Sequence, residues 1–185
     1  MRCGVRARKR SAVIALGSNM GDAAETLAAA AACIERIVGV RVTQMSALYR
    51  SEPAYLATQP EFCNAVLLVQ VELEPLALLH ALQAVEQEFG RVRTVPNGPR
   101  SLDVDIIDYE GVTSDRPELL LPHPLALERD FVVTPLLELS PGYVLANGIP
   151  VTREGVTCGW VEGAVAHHQQ PSDTCKGVTC GWVAS

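Results

Sequence analysis

The amino-acid sequence predicts an α+β protein of the ferredoxin-like class, with a mostly antiparallel sheet and helices packed on it. The first observation is the order of periodic segments, strand–helix–strand–strand–helix–strand, which is typical of the split βαβ arrangement. The second is that two helical segments each carry an apolar stripe, and in this arrangement both helices lie on one face of the sheet. With 185 residues, of which 48% are hydrophobic, one domain can bury a substantial core.

The first half of the chain supplies a strand, a helix and a second strand. The apolar run at 11–16 predicts a buried strand. Asp22, with Glu25 three residues later, resembles a capping box and begins a helix that Gly39 ends. A weak alternation then predicts one strand over residues 40–49. The apolar stripe of the helix consists of Leu27, Ala31, Ile34 and Val38.

The second half repeats this pattern and adds a final short helix. Pro75 begins a second long helix, because the proline ring suits the first helical turn, and Gly90 ends it. The apolar stripe of this helix consists of Leu78, Leu82, Val85 and Phe89. The other predicted segments are a loop at 51–60, strands at 62–72 and 102–108, and a short helix at 135–139.

We expect three regions along the chain, with the folded domain in the middle. Residues 1–11 hold five basic residues and no acidic one, which indicates a disordered basic leader. Residues 12–152 form the predicted domain, and residues 153–185 are expected to be an appended tail outside the fold and its chemistry. A functional cysteine pair within the tail is the alternative. The tail repeats the heptapeptide GVTCGWV at 155–161 and 177–183.

Composition narrows the partners and the compartment. With 15 basic and 21 acidic residues the net charge is −6, so the surface-wide basic field that binds nucleic acid is absent. None of the six cysteines forms a C-x-x-C pair, which favours free thiols and a reducing compartment, namely the cytoplasm. A mitochondrial location is the alternative if the basic leader belongs to a transit peptide. No apolar run has the length of a membrane span.

One stretch combines a basic loop with paired carboxylates. Arg91, Arg93 and Arg100 lie within ten residues that contain no acidic residue, and arginine binds phosphate through a bidentate fork. Asp103 and Asp105 follow on a predicted strand, where a period of two puts both carboxylates on one face, about 7 Å apart. Such a pair can hold magnesium, which takes its other ligands from water and phosphate. The alternatives are a solubilising basic loop and a solvated acidic strand face.

Further candidates lie outside this stretch. Glu86, at the border of the second helical stripe, could hold Arg91 or a ligand hydroxyl; an ordinary exposed glutamate is the alternative. His123 lies between two prolines, and together with Arg129 it forms a second possible phosphate clamp; the alternative is a structural histidine, which is the commoner role of a lone histidine. GSNMG at 17–21 is a weak candidate for a phosphate loop.

Two aromatic residues could sandwich a flat ring. Phe62 opens an apolar strand and Phe131 follows the Arg129 turn, and core packing is the alternative for both. Asn64 shares a strand face with Phe62 by the period of two, so its amide could offer a donor and an acceptor to the edge of the ring.

These motifs, in this order, resemble those of the 6-hydroxymethyl-7,8-dihydropterin pyrophosphokinases, enzymes of folate biosynthesis. The resemblance covers about residues 12–148. It is carried by ALGSNMGD, ALYRSEP, QPEFCNAVL, VEQEFGRVR, NGPRSLDVDII and LPHPLALERDFVVTPLLEL. It implies transfer of a pyrophosphoryl group from ATP to the pterin hydroxymethyl oxygen, with release of AMP, by an enzyme that uses two Mg²⁺ ions. We expect the protein to be a monomer, although the sequence itself does not fix the oligomeric state. In some organisms this domain is fused to dihydropteroate synthase.

The resemblance also implies a role for individual residues. The implied magnesium ligands are Asp103 and Asp105. The implied catalytic, phosphate-contacting residues are Arg91, Arg100, His123 and Arg129. The implied nucleotide-site residues are Glu86, Arg93 and Ile106. The implied pterin-site residues are Ser51, Ala54, Phe62, Asn64 and Phe131.

The chain departs from some members just before the Gly-Pro-Arg turn. Those members carry a basic residue and a tryptophan where this chain has Pro96 and Asn97, and the arginine loop is one residue shorter here. Two other classes of function are compatible with the sequence. One is a metal-dependent phosphohydrolase acting on nucleotides, and the other is a non-catalytic ferredoxin-like interaction module.

Overall fold

A computed structural model describes residues 8–53, 58–90 and 98–165. Within them, no helix is long and apolar enough to span a membrane. The strands are β1 Arg10–Ser18, β2 Val40–Met45, β3 Leu48–Ser51, β4 Phe62–Val71, β5 Asp103–Tyr109, β6 Ser114–Arg116, β7 Leu119–Leu121 and β8 Val161–Val165. The helices are α1 Ala23–Glu35, α2 Pro75–Glu88 and α3 Asp130–Leu139, with a 3₁₀ turn at Ala126–Glu128.

The main sheet confirms the predicted ferredoxin-like arrangement. Its strand order is β5-β1-β4-β3-β8, with β2 also paired to β4, and every pairing is antiparallel. The first strand therefore lies between the last strand of the split βαβ unit and β4, as this topology requires. A separate two-stranded hairpin, β6–β7, was not predicted from the sequence.

The sheet carries a core on each face. Along β1, Ile14 and Leu16 pack in the larger core with α1 and α2, whereas Val13 and Ala15 pack in the smaller core with α3. This follows from the alternation of side chains along a strand. The prediction that the two long helices share one face is confirmed, and α3 covers the other face.

The ends of α1 and α2 show which local signals are reliable. The Asp22 carboxylate accepts a hydrogen bond from the Glu25 nitrogen (3.0 Å), so the predicted cap forms. However, α1 ends at Glu35, and Val38, predicted on the buried stripe, is 89% exposed in the turn that Gly39 (φ +83°) completes. Helix α2 begins at Pro75 as predicted, and Leu78, Leu82 and Val85 of its stripe are buried, whereas Phe89 is only partly buried and follows the end of the helix at Glu88.

Two elements differ from their predicted bounds. Residues 40–49 form two strands because the Ser46 hydroxyl, rather than a backbone carbonyl, accepts the hydrogen bond of the Val66 nitrogen (2.9 Å). Helix α3 begins at Asp130, five residues before the predicted start, and contains Pro135 within it. A proline there removes one backbone hydrogen bond but leaves the first turn of the helix intact.

The predicted boundary at residue 152 is wrong. Residues 153–165 belong to the fold, because β8 pairs with β3 and Val156 is buried in the smaller core. The first GVTCGWV copy packs against the domain, and its residues hydrogen-bond to the segment at 128–130. The second copy lies outside the described residues.

Candidate active site

An open cavity lies on the α3 face of the sheet, at one end of β1, β4 and β5. The cavity brings together eight of the residues singled out in the sequence: Ser51, Phe62, Asn64, Arg100, Asp103, Asp105, Arg129 and Phe131.

The cavity exists because a glycine interrupts a row of side chains across the sheet. Asp103 pairs in register with Gly17, and Gly17 pairs with Asn64 on its other side. Residues directly opposite in antiparallel strands point to the same face, and two strand spacings separate the outer pair by about 10 Å. Gly17 has no side chain to fill the space between them. A Cβ atom there would lie 3.3 Å from Asn64 Oδ1.

The two aspartates share one face of β5, as predicted. Each is matched by an arginine: Arg100 pairs with Asp103, and Arg129 Nη1 lies 3.7 Å from Asp105 Oδ2. The side chain of Asp103 is 21% exposed and that of Asp105 is 40% exposed, so both carboxylates can be reached from the cavity. The pair offers hard oxygen ligands, which magnesium prefers.

Arg100 is held in place by a residue that was not selected from the sequence. Asn19 forms two hydrogen bonds with the backbone of Arg100: Asn19 N donates to Arg100 O (3.1 Å), and Arg100 N donates to Asn19 Oδ1 (2.8 Å). Asn19 Nδ2 also donates to Gln59 Oε1 and to Pro60 O, both at 3.2 Å. This residue lies in GSNMG, so the motif that resembled a phosphate loop instead joins two loops beside the cavity.

Arg129 occupies the opposite wall. Its side chain is only 14% exposed, and its guanidinium carbon lies 5.6 Å from the centre of the Phe131 ring, within cation–π range. Its buried Nε makes no hydrogen bond within the described part of the chain. A buried donor without a partner is costly, which suits a site that an acceptor on a ligand completes.

His123 lies close enough to Arg129 and Asp103 to respond to their charges. Burial lowers the pKa of His123 to about 4, the Arg129 charge adds to this effect, and the Asp103 charge opposes it. Its Nδ1 accepts a hydrogen bond from the Leu125 nitrogen (3.1 Å). The ring is therefore neutral near pH 7, with its proton on Nε2, and it can donate one hydrogen bond to an anionic ligand.

The aromatic and amide residues form the other half of the cavity. Phe62 and Phe131 are both partly exposed and line it. The amide of Asn64 is buried, and its Nδ2 donates to Ser51 Oγ (2.9 Å) and to Tyr49 O (3.4 Å). These contacts orient the amide so that its oxygen lies beside Gly17, on the cavity side.

Two predicted nucleotide-site residues, Glu86 and Ile106, are not among the residues that line the cavity. Glu86 is 3% exposed, not the ordinary exposed glutamate of the alternative interpretation, and its Oε1 accepts a hydrogen bond from the Val104 nitrogen (2.8 Å). The Ile106 side chain is 3% exposed in the core, on the face opposite the two aspartates. The structure does not bring its side chain to the cavity, so only its backbone is available for the predicted nucleotide contact.

Several predictions fall on parts of the chain that the structure does not describe. Arg91, Arg93 and Ala54 lie outside the described residues, and so do Pro96 and Asn97. The predicted roles of these residues remain predictions.

Together, the fold and the cavity define a ferredoxin-like α+β domain whose cavity is lined by two aromatic rings and a buried amide on one side and by two carboxylates paired with arginines on the other. The family model described as 7,8-dihydro-6-hydroxymethylpterin-pyrophosphokinase matches residues 13–141. The chain belongs to this family, and the resemblance seen in its motifs is confirmed.

The relatives divide into short and long proteins. The 2-amino-4-hydroxy-6-hydroxymethyldihydropteridine pyrophosphokinase of Pseudomonas aeruginosa is 43% identical over 135 residues, which are 73% of this chain and 83% of that protein. The folic acid synthesis protein fol1 of Schizosaccharomyces pombe is 41% identical over 137 residues, 74% of this chain but only 19% of that protein. The chain thus spans about a fifth of the length of this longer relative.

A solved structure shows the same fold. The wild-type HPPK-DHPS of Plasmodium falciparum aligns with a TM-score of 0.60 and 14% identity, over 75% of this chain and 42% of that one. At this identity the likeness is one of fold.

Proposed function

We propose that this chain transfers the pyrophosphoryl group of ATP to the hydroxymethyl oxygen of 6-hydroxymethyl-7,8-dihydropterin and releases AMP. The observation that carries the proposal is the row Asp103–Gly17–Asn64 across the sheet. It places an amide with neighbouring aromatic rings on one side of a hollow and paired carboxylates with arginines on the other. A heterocycle and a polyphosphate bound in these halves would meet over Gly17.

The residues present fit the magnesium that this family implies. Asp103 and Asp105 would hold it, and two carboxylates are the usual protein share of a magnesium ion bound with phosphates and water. The described residues contain no group of three or more His, Cys, Asp or Glu side chains suited to a metal. We propose that two magnesium ions bind together with ATP. They would neutralise phosphate charge and orient the triphosphate for in-line attack.

The arginines of the cavity would then exchange partners. Arg100 and Arg129 pair with the two aspartates in this structure. A bound phosphate would offer acceptor oxygens to both guanidinium groups and to the Nε of Arg129, which makes no hydrogen bond within the described residues. These charges would stabilise the transferring group and the departing AMP.

His123 would act as a hydrogen-bond donor rather than as a base. Its Nδ1 is occupied by the Leu125 nitrogen, and its low pKa keeps the ring neutral, so Nε2–H is the group it can offer to a phosphate oxygen. The substrate hydroxyl oxygen would attack the β-phosphorus and lose its proton to solvent, while the bond between the β-phosphorus and the α–β bridging oxygen breaks and AMP leaves with that oxygen. Positioning and electrostatics supply the catalysis.

A calorimetric titration with hydroxymethyldihydropterin, with and without a non-hydrolysable magnesium–ATP analogue, tests the proposal. We expect the pterin to bind and the nucleotide complex to alter its affinity. A metal-dependent phosphohydrolase would bind the nucleotide alone and leave the pterin unbound. An interaction module would bind neither ligand, and either result would contradict the proposal.

The domain organisation, oligomeric state and location of the whole protein are also proposals. The HPPK-DHPS structure of Plasmodium falciparum supports an origin of this domain in a fusion with dihydropteroate synthase. The monomeric state and the cytoplasmic location remain predictions, which sedimentation analysis and fluorescence microscopy of the tagged protein test.

A further inference from the structure

We propose that Gly159, in the first GVTCGWV copy, is a positioning residue for the ring-binding half of the cavity. It would act by fixing the Phe131 ring. This inference rests on the proposed function, because it assumes that Phe131 contacts the pterin. It gives a role to a segment that the sequence predicted to be outside the fold.

The segment is joined to the turn that carries Arg129 and Phe131 by backbone hydrogen bonds on both sides. Thr157 N and Cys158 N donate to Glu128 O (2.9 and 3.1 Å), and Asp130 N donates to Cys158 O (3.0 Å). These bonds set the segment alongside residues 128–130. A shift of one would therefore move the other.

The buried carboxylate of Asp130 adds a second anchor. It is 1% exposed and accepts hydrogen bonds from Val161 N (3.0 Å), from Arg153 Nη2 (3.3 Å) and from Thr134 Oγ1 (2.6 Å). A buried carboxylate needs such partners, so the two ends of the segment are fixed to the first turn of α3. Phe131 is the next residue along that turn.

Gly159 lies directly against the Phe131 ring. A Cβ atom at residue 159 would lie 2.3 Å from Cδ1 and 2.6 Å from Cε1 of the ring, distances that non-bonded carbon atoms do not tolerate. Its φ of +65° also disfavours any residue with a side chain. The ring edge thus occupies the space that any other residue would need. A substitution at 159 must displace the ring, the segment or both.

The chain supplies a matched control. The second heptapeptide copy places Gly181 where the first has Gly159. If the first copy has the proposed role, Gly159→Ala should impair pterin binding and Gly181→Ala should not. The double variant Gly159→Ala/Gly181→Ala leaves neither copy intact, so the second copy cannot take the place of the first.

The test measures two affinities in the full chain: that of a magnesium–ATP analogue, and that of hydroxymethyldihydropterin in its presence. For Gly159→Ala and for the double variant we expect the pterin Kd to rise roughly tenfold, with less than a twofold change for the nucleotide. Steady-state assays should show a larger change in the pterin KM than in kcat. Wild-type pterin affinity in the double variant, or equal losses for both ligands, would overturn the proposal.

A double-mutant cycle shows whether Gly159 acts through the ring. In a Phe131→Ala background the space beside residue 159 is open, so adding Gly159→Ala should change pterin affinity less than twofold. A full tenfold loss in that background would refute the mechanism. If Gly159→Ala does not fold, Arg153→Gln, which weakens the Asp130 anchor at an exposed side chain, should still raise the pterin Kd two- to threefold.

The outcome separates this inference from the proposed function. Wild-type protein that binds no pterin would refute the proposed function. Wild-type protein that binds pterin, with variants indistinguishable from it, would refute only the role of Gly159.

Discussion

The carboxylate of Glu86 accepts a hydrogen bond of 2.8 Å from the backbone nitrogen of Val104, the residue between the two aspartates of the site. Glu86 lies on α2 and is 3% exposed, so this bond crosses the buried interface between the helix and β5. The strand that presents the carboxylates is thereby fixed from behind.

Removal of this acceptor should loosen the strand. We expect Glu86→Ala to lower the free energy of unfolding by about 2 kcal/mol, since it leaves a buried nitrogen unsatisfied and opens a small cavity. Affinity for a magnesium–ATP analogue should fall as well. Urea unfolding and calorimetry measure the two effects. Glu86→Gln keeps an acceptor oxygen and should lose less, and Gln87→Ala, at an exposed position of the same helix, should behave as wild type.

The aspartates themselves should matter for activity far more than for stability. Asp103→Asn and Asp105→Asn should each lower kcat at least a hundredfold, because they remove the proposed metal ligands. The free energy of unfolding should change by less than about 1 kcal/mol, since each ion pair is partly exposed. Assays of AMP release and urea unfolding test this pair of statements. Asp115→Asn, on the exposed β6, is the control, and near-native activity in both site variants would contradict the metal assignment.

A side chain at residue 17 should block the site without unfolding the protein. Gly17→Val places atoms in the hollow between Asp103 and Asn64, where even a Cβ lies 3.3 Å from the Asn64 oxygen. We expect the pterin Kd to rise on the order of a hundredfold while the melting temperature changes by only a few degrees. Differential scanning calorimetry and ligand titration measure both. Unchanged pterin affinity would mean that the ring binds elsewhere.

His123 should contribute a pH dependence of stability with a defined sign. The pKa of His123 is lowered from 6.5 to about 4, mainly by burial, so between these values the unfolded chain binds a proton that the folded protein does not. Stability is therefore fully present above pH 6.5 and is lost as the pH falls towards 4. Urea unfolding of metal-free protein at pH 7.5 and pH 5 should show a loss roughly 1 to 2 kcal/mol larger in wild type than in His123→Asn.

The matched control for this prediction is His80→Asn, which replaces an exposed histidine on α2. Its pH dependence should parallel that of wild type. Identical curves for wild type and His123→Asn would show that His123 is not the buried neutral group that the structure indicates.

Side-chain periodicity and local capping signals predicted most of the fold and the pair of carboxylates in the cavity. Asp103 and Asp105 share a face because strand geometry demands it, and Asp22 caps α1 because its side chain reaches the Glu25 nitrogen. Both inferences depend on residues close together in the sequence. The error at Val38 has the same origin, because the helical spacing of apolar residues continues to Val38 in the sequence although the helix ends at Glu35.

Contacts between segments that are distant in the sequence could not be predicted from these local patterns. Asn19 joins the 59–60 and 100 loops through hydrogen bonds that span up to 81 residues, and nothing in GSNMG alone shows this. The tail was misjudged because its small and polar residues resemble a linker. The fit of Gly159 against the Phe131 ring depends on three-dimensional packing rather than on period.

The most direct test is to identify the products by phosphorus NMR, using the full chain with ATP, magnesium and hydroxymethyldihydropterin. We predict AMP and a pterin that carries two phosphorus atoms, formed only when the pterin is present. ADP with a singly phosphorylated pterin, or ADP and inorganic phosphate without any need for the pterin, would contradict pyrophosphoryl transfer at the Asp103–Gly17–Asn64 row.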